Sequence, residues 1–417
     1  MPLHFTRLLA VLVVVVCAGR VLMPPASADD RALQIARNAI IIDTHIDVPY
    51  RLQGRIDAND EWIDVGVSTG AEGDFDYPRA SAGGLNGAFM SIYTPASLEQ
   101  DGQPNPESTA LANELIDLVE RMVSEHPAKF AIPHSVAEFE QQVAAGKVSL
   151  PLGMENGSPI AGDLAQLEHF YDRGIRYITL AHSAWNHISD SSYDPDKHWG
   201  GLSPFGRELV LAMNKLGIMV DVSHLSDAAF RDVLAVSWVP VIASHSSARH
   251  FTPGFERNMS DDMIRELAAN GGVIQINYGS SFLTAEANSY GDRREAAYQA
   301  YLDAEGLADT DTEDEAFRKQ WRAQTPYPSA TLNDVLDHID HVVGMVGIDH
   351  VGIGSDYDGV GDSLPEGLKD VASYPNLIAG LMSRGYSESE VEKVLAGNLL
   401  RVWRAVEAHS MPQPASR

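Results

Sequence analysis

Eight short apolar, β-branched runs recur along the chain, with amphipathic stretches between most of them, and this alternation restricts the fold more than any other feature. The runs are "AIIID" (39–43), "AFMSIY" (88–93), "KVSLPLGME" (147–155), "RYITLA" (176–181), "IMVDVS" (218–223), "VPVIAS" (239–244), "GVIQINY" (272–278) and "VGIGSD" (351–356). Several are continuous rather than alternating, as parallel strands covered on both faces require. The stretches between them carry helix signals. "PESTALANELIDLVERMVSEH" (106–126) spaces Leu111, Leu115, Leu118 and Val119 on one face. "SPFGRELVLAMNKLG" (203–217) opens on Ser-Pro and stops at Gly217, and "SDDMIRELAANGG" (260–272) opens at Ser260 and stops at Gly271. Strand and helix alternating eight times predict an α/β fold, a (β/α)8 TIM-type barrel forming one catalytic domain over residues 29–417. A doubly wound open sheet is the competitor, but no Gly-rich phosphate turn follows the first run. Residues 285–330, highly charged and lying between strands seven and eight, predict a helical insertion over the barrel mouth; a solvated surface excursion is the other reading.

The C-terminal ends of such strands converge on one mouth, where active sites are built. Strand one runs into His45 and Asp47, strand three into Glu155, strand four into His182, strand five into His224, strand six into His245 and strand eight into Asp356. A lone histidine at a strand end is usually structural. Six strands of eight ending in an imidazole or a carboxylate point instead to a divalent metal, for which zinc suits this ligand chemistry. Seven such groups exceed the needs of one tetrahedral ion. Two metals sharing a carboxylate, with a residue left over to move protons, divide the set naturally.

The motifs "DTHID", "GGLNGAFMSIYTP", "GMENG", "TLAHSAWN", "GLSPFGRELV", "DVSHLS", "ASHSSARH", "ERNMSDD" and "GIGSDYDG" follow in that order. In them the chain resembles the membrane (renal) dipeptidase family, metallopeptidases built on an amidohydrolase-type barrel. The resemblance implies an exported zinc-dependent dipeptidase cleaving L-Xaa-L-Xaa or L-Xaa-D-Xaa. It implies that His45 and Asp47 hold one zinc, that His224 and His245 hold a second, and that Glu155 bridges them. A hydroxide shared by the two zincs would attack the dipeptide amide. His182 would contact the substrate and stabilise the oxyanion, and Asp356 would act as the acid/base group. Arg257 would clamp the free carboxylate with its planar fork and so limit substrate length. The cysteines of the mammalian members are missing. A disulfide-linked dimer is therefore ruled out, and a non-covalent homodimer stays open.

The N-terminus reads as a secretory signal over residues 1–28: Arg7, an apolar stretch from Leu8 to Ala18, and Ala26-Ser27-Ala28 before Asp29. An uncleaved N-terminal anchor is the other reading. Cleavage predicts secretion across the inner membrane, with a periplasm as the destination and no membrane anchor left. The only cysteine, Cys17, lies in this segment and follows Val16, which is too large for a lipid-attachment site. The mature chain would then lack disulfides, thiolate ligands and a cysteine nucleophile. The terminal "VEAHSMPQPASR" has no hydrophobic tail for a glycolipid anchor. Removing the signal takes away Arg7 and Arg20 but no acid, so the formal charge of −28 becomes −30. Such a surface repels nucleic acid and anionic lipid.

Other polar residues draw bland readings. His338 and His341 have helical ligand spacing but belong to a predicted solvated helix face, and His350 to the barrel's stability face. His126, His134, His169 and His409 fall in helices or loops without a role. His187, His198 and His250 lie nearer the mouth loops. Asp358 and Asp43 are expected behind the ligands, and Asp221 and Ser223 as structural groups. "SHSS" (244–247) lacks the Gly-x-Ser-x-Gly elbow of a serine nucleophile. The competing functions are two. One is another binuclear amidohydrolase acting on a lactone, cyclic amide or phosphoester, against which stand His-x-Asp in place of His-x-His and the lack of a bridging lysine. The other is an inactive metal-bound binding protein, for which Asp356 and His182 would be superfluous.

Overall fold

The apolar runs become eight parallel barrel strands: Ile42–Ile46, Gly87–Tyr93, Leu152–Glu155, Ile175–Thr179, Met219–Asp221, Ile242–Ser246, Val273–Ile276 and Val351–Ile353. These come from a computed structural model that describes residues 28–99 and 101–410. The expected signal segment lies outside the described residues apart from Ala28. Each barrel strand pairs in parallel with the next in sequence. The ring closes where Ile46 bridges to Tyr357: Asp47 N donates to Tyr357 O at 2.9 Å and Asp356 N to His45 O at 3.1 Å. That closure brings Asp47 and Asp356 together.

Two strand boundaries differ from expectation. The first run was expected to pair over 39–43, yet the strand is Ile42–Ile46, so His45 sits inside it. The third run divides into Val148–Ser149 and Leu152–Glu155, because Pro151 between them has no N–H to donate to a ladder. Val148–Ser149 pairs with Gly87 and with the short strand Phe130–Ala131.

Three helices open on side-chain caps, two of them, Ser203 and Ser260, at the expected starts. Asn105 accepts from Glu107 N ahead of Pro106–Glu125, Ser203 from Gly206 N ahead of Pro204–Leu216, and Ser260 from Met263 N ahead of Asp261–Ala269. Each such cap is worth about 1 kcal/mol. Between strands seven and eight lie the helices Tyr290–Glu305 and Asp311–Gln324, which brace each other through Tyr298 on Phe317 and Tyr290 on Trp321. The helix Leu332–Val346 follows.

The N-terminal end of the barrel is sealed with apolar groups. Ile42, Phe89, Met219, Ile242 and Val273 meet Leu399, Val402, Trp403 and Val406 of the helix Asn398–Ala408, all buried. Tyr177 extends to Thr44 and His45 on the first strand, and Gly153 is required beside it: a Cβ there would lie 2.0 Å from the Tyr177 ring. Polar side chains are thereby left the C-terminal end. Among the described residues no helix is long and apolar enough to cross a membrane.

Candidate active site

One carboxylate sits at the centre of the barrel mouth. Glu155, the last residue of the third strand, turns Oε2 toward His45 Nε2 at 3.4 Å. Its Oε1 lies 3.1 Å from His224 Nε2, 3.2 Å from His245 Nε2 and 3.5 Å from His182 Nε2. Asp47 Oδ2 is 3.5 Å from His45 Nε2, and Asp356 joins His45 and Asp47 with donor atoms all within 4.8 Å. The seven polar groups at the strand ends therefore meet, split into two donor sets by the two oxygens of Glu155.

Two of the rings, His45 and His245, are held in the form that ligates. Tyr177 OH donates to Thr44 O at 3.0 Å, so it accepts from Nδ1–H of His45 at 2.8 Å and leaves the Nε2 lone pair bare. That Nε2 is buried and has no hydrogen-bond partner. Ser244 Oγ likewise donates to Asp221 Oδ2 at 2.6 Å and accepts from His245 Nδ1–H at 2.8 Å. Asp221 is fixed in turn by Ser223 N, Ser244 N and Thr179 Oγ1. His224 Nε2 then lies 2.9 Å from His245 Nε2, with Glu155 Oε1 close to both. His224 Nδ1 is buried without a partner, and groups so crowded repel unless a proton or a cation lies among them. A divalent ion fits this donor set on that ground.

Backbone strain is concentrated here. His224 and Asp356 adopt left-handed φ values of 69° and 64°. Each costs on the order of 1 kcal/mol and persists because the surroundings over-determine it. Asp356 Oδ2 accepts from Asn277 Nδ2 at 2.7 Å. Gly359 lies against its other oxygen: a Cβ there would be 2.2 Å from Asp356 Oδ1 and 2.4 Å from Asp47 Oδ2.

Burial opposes ionisation of Glu155, yet the imidazoles of His45, His182, His224 and His245 hold its carboxyl well below the usual range. Burial pushes His224 and His245 well below the ordinary histidine value and His182 below it, so these rings favour the neutral form. His45 moves the other way: burial disfavours its charge, but Tyr177, Glu155 and Asp47 together raise it. Burial and then the Asp47 carboxylate push Asp356 up to about 7.

A cavity of about 630 Å³ opens over this centre. Its aromatic walls are Tyr50, Tyr93, Tyr193 and Phe282, with Glu155, His182, His224 and Asp356 at its base. Among the described residues, none from 285–330 lines it, whereas Phe282 and Val360 do. Arg257 is buried beside the centre rather than in the cavity wall. It donates from Nη1 to Ser246 Oγ and from Nη2 to His245 O, both at 2.7 Å, and its Nε has no partner.

The remaining histidines separate clearly. His187 is buried against Glu99 and the backbone N–H of Gly162, His198 stacks on Trp185, and His250 stacks on His341; none lines the cavity. The expectation that His338 faces solvent is wrong. It is fully buried, accepting from Ala248 N and donating to Leu283 O at 3.0 Å each, because the loop after strand six packs over that helix. Asp43 secures His45 through its backbone N–H, together with Ser355 N and Tyr374 OH. Asp358 accepts from Asp74 N and lies 3.2 Å from Arg51. Tyr177, Ser244 and Asn277 went unread as supports of the site. Asn277 had a signal: it too is a polar residue just past a strand end.

The model of the membrane dipeptidase family, peptidase family M19, matches residues 29–417. The chain belongs to the M19 membrane dipeptidase family. It is thereby a hydrolase of the dipeptidase class and a metallopeptidase, and the clustered donors are the residues available for its metal. Among M19 relatives, an uncharacterised dipeptidase of Schizosaccharomyces pombe is 32% identical over 394 residues, covering 91% of this chain and 83% of the relative. The crystal structure of the probable dipeptidase PvdM from Pseudomonas aeruginosa superimposes with a TM-score of 0.79 at 28% identity, covering 93% of this chain and 100% of that one. A metallopeptidase from Rhodobacter sphaeroides, solved with a phosphinate mimic of the dipeptide L-Ala-D-Ala, gives a TM-score of 0.70 at 26% identity, covering 88% and 99%. The M19 match thus spans the barrel and every candidate residue above.

Proposed function

We propose that this M19 chain is an exported dipeptidase that uses two zinc ions to hydrolyse L-Xaa-L-Xaa and L-Xaa-D-Xaa dipeptides. The observation that carries this reading is Glu155 standing between two imidazole-bearing donor sets, each within 3.5 Å of one of its oxygens. His45 and Asp47 would hold one ion, His224 and His245 the other, with Glu155 shared. Such ions supply Lewis acidity, bringing water's pKa toward neutrality and polarising a carbonyl.

The chain's own groups do the rest. His182 lines the cavity beside Glu155 and offers an imidazole to the oxygen that gains charge as the amide is attacked. Asp356 accepts the proton of the attacking water and returns it to the leaving amine, while Asn277 fixes one of its oxygens. Arg257 has an unpartnered Nε–H and the second hydrogens of its fork for a substrate carboxylate. Leaving that cation unpaired is costly, which disfavours longer peptides. Tyr50, Tyr93, Tyr193 and Phe282 provide apolar walls for the two side chains. The phosphinate mimic of L-Ala-D-Ala bound by the Rhodobacter relative supports a D-residue at the C-terminal position. Export to a periplasm is supported by the signal-like residues 1–28.

The test is a substrate panel. Purified protein with zinc meets L,L and L,D dipeptides, an N-acyl amino acid and a phosphotriester, each with and without chelator. Chelator-sensitive turnover of dipeptides is expected; turnover of the phosphotriester alone would reject the reading.

A further inference from the structure

Outside the active site, two histidines and an aspartate meet on three different elements. His250 lies in the short turn Arg249–Phe251 after the sixth strand, Asp261 opens the helix Asp261–Ala269, and His341 stands on the helix Leu332–Val346. His341 Nε2 is 2.8 Å from Asp261 Oδ1, and the His250 and His341 rings stack with centroids 4.4 Å apart at 22°. One donor atom from each of the three lies within 4.8 Å of the others. Donors around a tetrahedral zinc sit about 3.3 Å apart, and His250 is the exposed member of the three.

We infer that His250, Asp261 and His341 form a peripheral site for a borderline divalent ion such as zinc, with water completing the coordination. Two imidazoles and one carboxylate are the donor chemistry of open zinc sites. The bed beneath is already rigid. His338, one helical turn before His341, is pinned between Ala248 N and Leu283 O and packs on Phe251 with centroids 4.4 Å apart. His250 contributes ring contacts and no hydrogen bond among the described residues, so its nitrogens are available to a ligand.

Placement gives the ion a consequence. The segment from His250 to Asp261 contains Arg257 and Asn258, so an ion at this site ties both ends of that loop to the helix Leu332–Val346. The loop holding Arg257 against His245 O would then be braced from the outside. The inference stands apart from the dipeptidase reading, because zinc uptake and loop protection are measured without any substrate.

The experiment uses the full protein already carrying its active-centre ions. Wild type, His250→Ala and His341→Gln are equilibrated with zinc, and bound metal is counted alongside amide exchange across residues 249–260. Other exposed clusters, such as Asp64, Glu125 and His126, contribute equally to all three. One more zinc per chain in the wild type than in either variant is expected, with several-fold slower exchange in the loop on zinc addition in the wild type only. Both variants should match the wild-type circular dichroism spectrum before zinc addition, which confirms that they fold. Equal zinc content in wild type and variants overturns the site; extra uptake without slowed exchange overturns the bracing.

Discussion

The imidazole rings of His45 and His245 stack with centroids 3.7 Å apart, although they come from the first and sixth strands. Their Nε2 atoms address different oxygens of Glu155, at 3.4 Å and 3.2 Å. Burying an unpaired carboxylate among neutral rings would cost several kcal/mol. Positive charge beside Glu155, from a protonated His45 or from bound cations, offsets that cost.

Asp356 is within reach of the first donor set, so its role is separable by experiment. Asp356→Asn should keep both metals and lose turnover by roughly 10²–10⁴-fold, as removal of a general acid/base does. Metal content and kcat are measured on the same preparation. Loss of one ion would instead make Asp356 a ligand.

Arg257→Met should raise KM by roughly 10–100-fold for dipeptides with a free carboxylate, the worth of a charge-assisted hydrogen bond. Amidated dipeptides are the control. An equal effect on both classes would mean that Arg257 only supports Ser246 and the His245 carbonyl.

Tyr177→Phe removes the hydroxyl that fixes the His45 ring. Metal affinity, read by competition with a chelator, should fall about 10–100-fold while the fold survives. Unchanged affinity would show that the tautomer of His45 is set without Tyr177.

Burial lowers His338 from 6.5 to about 4. Above pH 6.5 the folded and unfolded chains both hold it neutral; between 6.5 and about 4 only the unfolded chain takes the proton. Stability therefore falls as pH drops through that window, by roughly 3 kcal/mol in full. Urea midpoints near pH 7 and pH 4.5 should differ more for wild type than for His338→Gln. Equal losses on acidification would contradict this assignment.

Strand number, barrel class and the seven polar groups at the strand ends were legible because parallel strands covered on both faces leave continuous apolar runs, and a barrel gathers their ends. Boundaries were less so. Ala39, Ile40 and Ile41 of the first run are outside its strand because pairing with Gly87 starts at Ile42. His338 was misread because helical spacing places it on a face without saying what covers that face; the loop from Ala248 does. Tyr177 was invisible for a similar reason: its hydroxyl reaches His45 through the barrel interior, a relation that no local pattern encodes.

The most direct measurement is anomalous scattering at the zinc edge from crystals of active, unchelated protein. Two peaks are predicted, one among His45, Asp47 and Glu155 Oε2, the other among His224, His245 and Glu155 Oε1. Fully active protein with no peak beside Glu155 would contradict the account.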